Sequence, residues 1–447
     1  MDFAHVLSDS QIERLNGAAH RLIEDTGFEV RDEALLRQCA AAGASVDEAS
    51  GRVRMPGALL DELLARAPRT YTIAGLDGRT YEVGGGQPWG VAIVTDPWIV
   101  DYATRQPRRP CLDDLRRHTV IAQKMEHIAA ISRMDFPVTD VPGPASSLRA
   151  WEHHLLHHAK HYYFVPAEVD SNRQWIEIVR ILSRDAEPAA PLFTIMAAVV
   201  SPLTVTGINV DLMRLAAEYG APIQPTICPM AGSTSPYTLA GTLLQGHAEN
   251  LIMAALMQIL KPGHPVLHAF GPSVTDMRSG RDLYYTLDKV LWKAGSVQLA
   301  KACGLPALGE CGGTMTFRYD QQNGMEGILF MLAAVASGAD ILAGFGSCYT
   351  AMGMSAEMMV IQEAWMEAVR FLQRGIDTDD AHLGLDSLRQ AGPGGHFLAD
   401  ELTLTHLHGG EFFANGLFDC TPAREGGGPD DSVSMLERAH SRVEELT

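Results

Sequence analysis

The chain has 447 residues, 46% of them apolar, with 42 glycines and 24 prolines, a globular balance that excludes a disordered, collagen-like or low-complexity polymer. Acidic residues outnumber basic ones by 54 to 35, a formal charge of -19, and no Lys/Arg block or basic-aromatic stripe is present; nucleic acid and anionic membrane are therefore excluded as partners, since both demand neutralisation of phosphates. Seven scattered cysteines without a CxxC pair, and an N-terminus lacking a basic start and an apolar run, predict reduced thiols in a cytoplasmic protein with no signal peptide and no membrane span.

Residues 8–26 carry Ile12, Leu15, Ala19, Leu22 and Ile23 at helical spacing, with Ser8 or Asp9 as cap and Gly27 as stop. A second short helix, 32–42, ends at Gly43, and GRVRMP reads as a brief strand before a helix from Pro56 to Ala67. From Tyr71 to Pro110 alternating residues and turn signals predict β-hairpins. Residues 1–110 are thus expected to form an α+β extension.

A rhythm begins after residue 110. Helices at 112–126, 145–160, 171–184, 207–219, 236–260, 282–303 and 321–337 alternate with apolar runs at 128–134, 161–166, 192–200, 222–228, 265–271, 305–311 and 339–346, and a helix follows at 355–374. Continuous apolar strands between helices signify a parallel sheet covered on both faces. Seven such units with one irregular strand, from 91–95 or after Gly375, predict an eight-stranded (β/α) barrel of the TIM type. A doubly wound open sheet is the alternative, disfavoured by the lack of GxGxxG and of a phosphate-binding loop. The barrel with a rim-covering tail is placed at 111–425, and a Gly-rich linker with a terminal helix at 426–447.

In such a barrel the chemistry lies at the carboxyl ends of the strands. The residues there are Asp135 and Phe136, Pro166 to Glu168, Ser201, Cys228 to Met230, Phe270 and Gly271, Glu310 to Gly313, and Gly346 to Tyr349. They contain no Ser-His-Asp order, no HExxH and no strand-end lysine. His153, His154, His157, His158 and His161 read as a helix face ahead of a strand, and Cys228, His268, Glu310 and Cys311 as buried structural residues, so no metal is expected. Aromatic residues near the inferred rim are Trp98, Tyr102, Tyr162, Tyr163, Phe270, Phe317, Tyr349 and Trp365. A quaternary ammonium binds to aromatic faces beside a carboxylate, and Trp98 and Tyr349, in loops flanked by small residues, suit that contact best.

Four ordered segments resemble the trimethylamine methyltransferase family: LIEDTGFEVRDEALLRQCAAAGASVDEASGRVRMP (22–56), ICPMAGSTSPYTLAGTLLQGHAENL (227–251), DQQNGMEG (320–327), and GPGGHFL with LTLTHLHGGEFF (392–413). The resemblance implies a (β/α) barrel with an N-terminal extension, and transfer of a methyl group from a methylated amine to a corrinoid protein. The trimethylamine enzymes carry pyrrolysine in a region corresponding to 312–320, where this chain has ordinary residues. It resembles instead the non-pyrrolysine branch, whose substrates are quaternary amines such as glycine betaine, proline betaine and carnitine. The chain departs from the family pattern at Thr405, where Arg is usual, and at Asp419-Cys420, where an acidic-Arg pair is usual.

A quaternary ammonium already carries a neutral leaving group, so Co(I) can displace its methyl without a general acid, and the protein supplies position in a water-poor cleft. The resemblance implies that Glu310 and Asp135 balance the cation, Trp98, Tyr349, Phe270 and Phe317 contact its methyls, His268 and Gln245 bind its other end, and Gly312 and Gly313 leave room for cobalt. No cofactor is expected to be tightly bound, because the DxHxxG of a histidine-ligated cobalamin is missing; the corrinoid belongs to a partner protein, and apolar rims are expected to pair copies of the chain. The alternatives are an onium demethylase using tetrahydrofolate or a zinc-activated thiol, with Cys311 involved, and a non-catalytic onium-binding protein.

Overall fold

The computed structural model describes residues 4–93, 96–133, 138–143, 145–164, 169–183, 190–421 and 433–447. Helix α1 (Asp9–Arg21) starts at a capping box: Gln11 N donates to Ser8 Oγ and Ser8 N to Gln11 Oε1. A single π turn, Leu22–Thr26, ends it at Gly27, whose φ of 74° and contact with Val53 O, 2.3 Å from where a Cβ would stand, admit no side chain. Residues 28–30, 45–47 and 52–54 then form an antiparallel sheet, and 204–205 joins its edge in parallel. Helices α2 (Glu33–Ala41) and α3 (Gly57–Leu64) complete the extension. Asp32, the cap of α2, also accepts from both guanidinium nitrogens of Arg214 at 2.7 and 2.9 Å, which bolts the extension to the helix Gly207–Tyr219.

The central sheet has seven parallel strands: β1 (Trp89–Ile93), β2 (Ile128–Arg133), β3 (His161–Phe164), β4 (Phe193–Ala198), β5 (Ile223–Thr226), β6 (Leu308–Glu310) and β7 (Ile341–Phe345), in the spatial order β5-β4-β3-β2-β1-β7-β6. Of the two candidates for the irregular strand, residues 89–93 take the place, so the sheet begins inside the stretch read as extension. The run at 265–271 departs most from expectation. It touches the two edge strands by one parallel bridge each, Ile223 with Val266 and His268 with Ala307, and forms no strand of its own. Backbone bonds join Pro265 and Leu267 to Ile223, and His268 to Pro306 and Leu308, but the pairing stops at Ala269, whose N–H and carbonyl are both taken by the side-chain amide of Asn250 at 2.9 and 3.0 Å.

Helices α4 (Leu112–Lys124), α5 (Ala145–His157), α6 (Val169–Leu182), α7 (Gly207–Tyr219), α8 (Leu239–Leu260), α9 (Asp288–Ala302), α10 (Gln321–Ala336) and α11 (Ala356–Arg374) follow the strands. Helix α8 is buried nearly all round, because α1, α2 and α3 cover its outer face. A hairpin, Tyr71–Ala74 with Thr80–Val83, packs Tyr71, Ile73, Tyr81 and Val83 against Leu308 and Ile341, the first residues of β6 and β7. It plugs the amino end of the sheet and leaves the carboxyl end as the open one.

Beyond α11 the tail contains three short helices, α12 (Asp380–Leu383), α13 (Leu385–Ala391) and α14 (Glu401–Gly409), where irregular chain is expected from the sequence. It also does not cover the open rim. Arg374, at the end of α11, donates to the carbonyls of Gly410 and Glu411, and Arg370 one turn earlier donates to Pro88 O, just ahead of β1. The segment 375–413 therefore sits at the amino end. Helix α15 (Met435–Leu446) packs on α11 and α4, and the Gly-rich linker before it lies outside the described residues. Among the described residues, no helix is long and apolar enough to cross a membrane.

Candidate functional site

At the carboxyl end of β6, Glu310 is 5% exposed and faces two lysines of α9. Lys289 and Lys293, one helical turn apart and so on one face, are 0% and 2% exposed. Their Nζ atoms lie 3.2 and 3.5 Å from Glu310 Oε1. Lys293 Nζ also donates to Phe270 O at 2.6 Å. Lys289 Nζ is in ion-pair range of Glu310 but not aligned for a hydrogen bond, and it stands 2.9 Å from the ring centroid of Tyr284 and 5.1 Å from that of Tyr285. Burial pushes Lys289 down to about 8, against the pull of Glu310, with Lys293 adding repulsion. Two ammonium groups against one carboxylate leave this wall of the mouth with surplus positive charge, and Lys289 is held by its ion pair and by the Tyr284 ring.

Tyr284 and Tyr285 precede α9 and form the adjoining wall. Gly271 permits this approach, since a Cβ there would stand 2.8 Å from Tyr284 Oη and 3.0 Å from Cys228 Sγ. Cys228 is exposed to the recess but hemmed in by enough protein that desolvation pushes its thiol up to about 11, in spite of the two lysines. Tyr285 Oη donates to Ser347 Oγ at 3.1 Å. On the far side lies Asp96, 2% exposed, whose Oδ2 has no hydrogen-bond partner. Desolvation holds its carboxyl well above the usual range, and its charge is felt by both Tyr285 and Cys348. A buried carboxyl and a buried ammonium thus both lie near the same tyrosine.

The residues named from the sequence divide into two groups. Trp98, Tyr349 and Phe317 come together: Trp98 pairs in register with Gly353, a Cβ at Gly353 would stand 2.9 Å from Tyr349 Cβ, and Phe317 meets Tyr349 edge-on with centroids 5.3 Å apart. One face of Trp98 is already covered by the Arg109 guanidinium, 4.0 Å from its centroid. Tyr349, Thr350 and Ala351 all have left-handed φ of 50–59°, a strained turn held by bonds from Tyr349 N to Thr316 O and Thr350 N to Thr314 O.

Phe270, His268 and Gln245 face elsewhere. The Phe270 ring fills the notch at Gly246 of α8. His268 contacts His247 Nδ1 at 3.0 Å and Ser296 Oγ at 3.3 Å in the helix layer, and Gln245 donates to Thr234 O and Glu249. The space at Gly313 is not open, since a Cβ would lie 2.2 Å from the Tyr285 ring; at Gly312 it would lie 3.1 Å from Gln362 Nε2. Asp135, with Phe136 and Pro166 to Glu168, lies outside the described residues. Cys228, His268, Glu310 and Cys311 do not converge on a metal position, because the His268 ring turns to the helices and Glu310 to the lysines. In the histidine run, His154 bonds Thr119 Oγ1 and His161 bonds Ala74 O and Thr194.

Comparison with known proteins agrees with this architecture. The sequence profile described as Trimethylamine methyltransferase (MTTB) matches residues 1–447. The chain belongs to the trimethylamine methyltransferase family. It is 23% identical over 406 residues to trimethylamine methyltransferase MttB of Desulfitobacterium hafniense (strain DSM 10664 / DCB-2), covering 90% of this chain and 81% of the relative. It is 24% identical over 452 residues to the glycine betaine methyltransferase of Desulfitobacterium hafniense (strain Y51), covering 99% and 92%. The crystal structure of the Methanosarcina barkeri monomethylamine methyltransferase superposes with a TM-score of 0.52 at 11% identity over 100% of this chain and 89% of that one, a likeness of fold.

Two of the segments through which the chain resembles its family, 227–251 and 320–327, form the framework of the mouth. In 320–327, Asp320 caps α10 by accepting from Gln322 N and Asn323 N, and Glu326 accepts from Thr314 Oγ1 at 2.6 Å and Met315 N at 3.0 Å, which fixes the loop after Gly313. In 227–251, Gln245 and Glu249 tie the Met230–Ser235 turn to Ser201 and Leu203, while Gly246 and Asn250 seat the irregular segment at 268–271. The polar residues facing the opening come mainly from outside these segments.

Proposed function

We propose that the mouth binds a zwitterionic quaternary amine, a betaine-like molecule, and that its methyl group passes to the Co(I) of a separate corrinoid protein. The observation that carries the reading is the placing of a buried ammonium, Lys289, and a buried carboxyl, Asp96, whose Oδ2 has no hydrogen-bond partner, near the same Tyr285. A substrate carboxylate accepts from Lys289, and the ammonium takes Asp96 as counter-ion with Tyr284, Tyr285 and the Trp98, Tyr349 and Phe317 cluster as aromatic surface. Glu310, expected from the sequence to meet the cation, instead holds two lysines in place. Family membership and relatives acting on trimethylamine and glycine betaine support the methyl donor class.

Bond cleavage leaves the electron pair on nitrogen and releases a neutral tertiary amine, so no proton has to be supplied in step with it. The corrinoid supplies the two-electron nucleophile. What the chain contributes is orientation and exclusion of water. Burial pushes both Cys228 and Cys311 up, which works against either acting as a thiolate unaided. The reading is tested with a matched ligand set followed by calorimetry and thermal shift: glycine betaine, choline and acetate. The zwitterion is expected to bind more tightly than either half; choline binding as well as glycine betaine would overturn the assignment of Lys289.

A further inference from the structure

We propose that His382, His406 and Glu411 form a zinc site that fastens the tail to itself. His382 Nε2 and His406 Nδ1 each lie 3.8 Å from the same oxygen, Glu411 Oε2, and the three ligand atoms all fall within 4.8 Å of one another. Tetrahedral zinc bonded at about 2.0–2.1 Å holds such atoms about 3.3 Å apart, so small rotations of half-buried side chains close the shell, with water in the fourth position. The second ring nitrogen of His382 is bonded to Asp379 Oδ1 at 2.7 Å, the carboxylate–imidazole arrangement that turns the other nitrogen toward a metal. Arg374 holds the Glu411 backbone by donating to its carbonyl at 2.8 Å.

A second feature points the same way. Helices α12, α13 and α14 have four, seven and nine residues and bury none of them, and helices this short do not persist without tertiary support. Ile376, Leu398 and Phe412 are 83–90% exposed, so apart from Phe413 against Phe371 and Phe418 little apolar packing supplies it. A metal joining α12 to the end of α14 does.

The test uses the full chain stripped with EDTA and titrated with Zn²⁺ against a chromophoric chelator. One equivalent is expected with sub-micromolar affinity, weakened more than about 100-fold in His382→Ala and His406→Ala and about 10–100-fold in Asp379→Asn. Zinc is expected to slow hydrogen exchange across 379–413 in the wild type only, while far-UV circular dichroism of the variants shows the barrel intact. Absence of a saturable equivalent tighter than micromolar, or an equivalent that survives in His406→Ala, overturns the proposal.

Discussion

Lys289→Met separates a binding role from a structural one. The ammonium is fully buried, and its fall from 10.5 to about 8 corresponds to about 3 kcal/mol of preference for the neutral form over that in water, at 1.36 kcal/mol per unit. Methionine has a similar length and no charge to desolvate, and Glu310 keeps Lys293 as partner. The variant is therefore expected to melt no lower than the wild type. Its affinity for a carboxylated substrate is expected to fall, because a charge-assisted hydrogen bond is worth about 1.5–3 kcal/mol, a factor of about 10 to 150. Choline, which has no carboxylate, is expected to lose nothing. Isothermal calorimetry with glycine betaine and choline, alongside a urea melt, gives all three numbers. Equal loss for both ligands, or a stability drop with affinity intact, would refute the reasoning.

Four further outcomes follow from the same geometry. Glycine betaine affinity is expected to hold below pH 8 and to fall about tenfold per unit above it as Lys289, with its pKa at about 8, loses its proton; the Met variant is expected to show no such limb when titrated by calorimetry. Asp96→Asn is expected to weaken glycine betaine and choline alike, by about 10-fold or more when titrated by calorimetry. Gly313→Ala drives a Cβ into the Tyr285 ring and is expected to cost about 1–3 kcal/mol in a urea melt together with ligand binding. Gln245→Ala is expected to cost about 1 kcal/mol with affinity unchanged, since its bonds run to Thr234 and Glu249.

The alternation of helices and apolar runs made the parallel sheet legible, because strands covered on both faces need apolar residues throughout. The run at 265–271 lies between the two edge strands but is too briefly paired to count as a strand. Residues 265–271 look like their neighbours in composition and bond the backbone on either side, but the distant Asn250 amide, which takes both groups of Ala269, cuts that pairing short. Strand β1 was obscured by the turn signals around it. For the site, strand ends are a sound place to look, and Glu310, Tyr349 and Phe317 stand there, but a residue type does not reveal which way it faces: Phe270 and His268 follow an apolar run and turn into the helix layer. Lys289 and Lys293 come from a helix, and Asp96 from the loop after β1, so none of them stands at the end of an apolar run after residue 110. The available signal was a pair of lysines four apart on the side of α9 that carries Trp292 and Ser296, also buried, since buried lysines are rare without a partner.

The claim on which everything rests is that a methyl group leaves a quaternary nitrogen at this mouth. Purified chain with methyl-¹³C glycine betaine and chemically reduced cobalamin measures it directly, by the cobalt-bound methyl signal in the ¹³C spectrum and by dimethylglycine in equal amount. Both products, lost together in Lys289→Met and Asp96→Asn at limiting substrate, are the predicted result. Intact betaine and no labelled cobalamin under saturating ligand would contradict it.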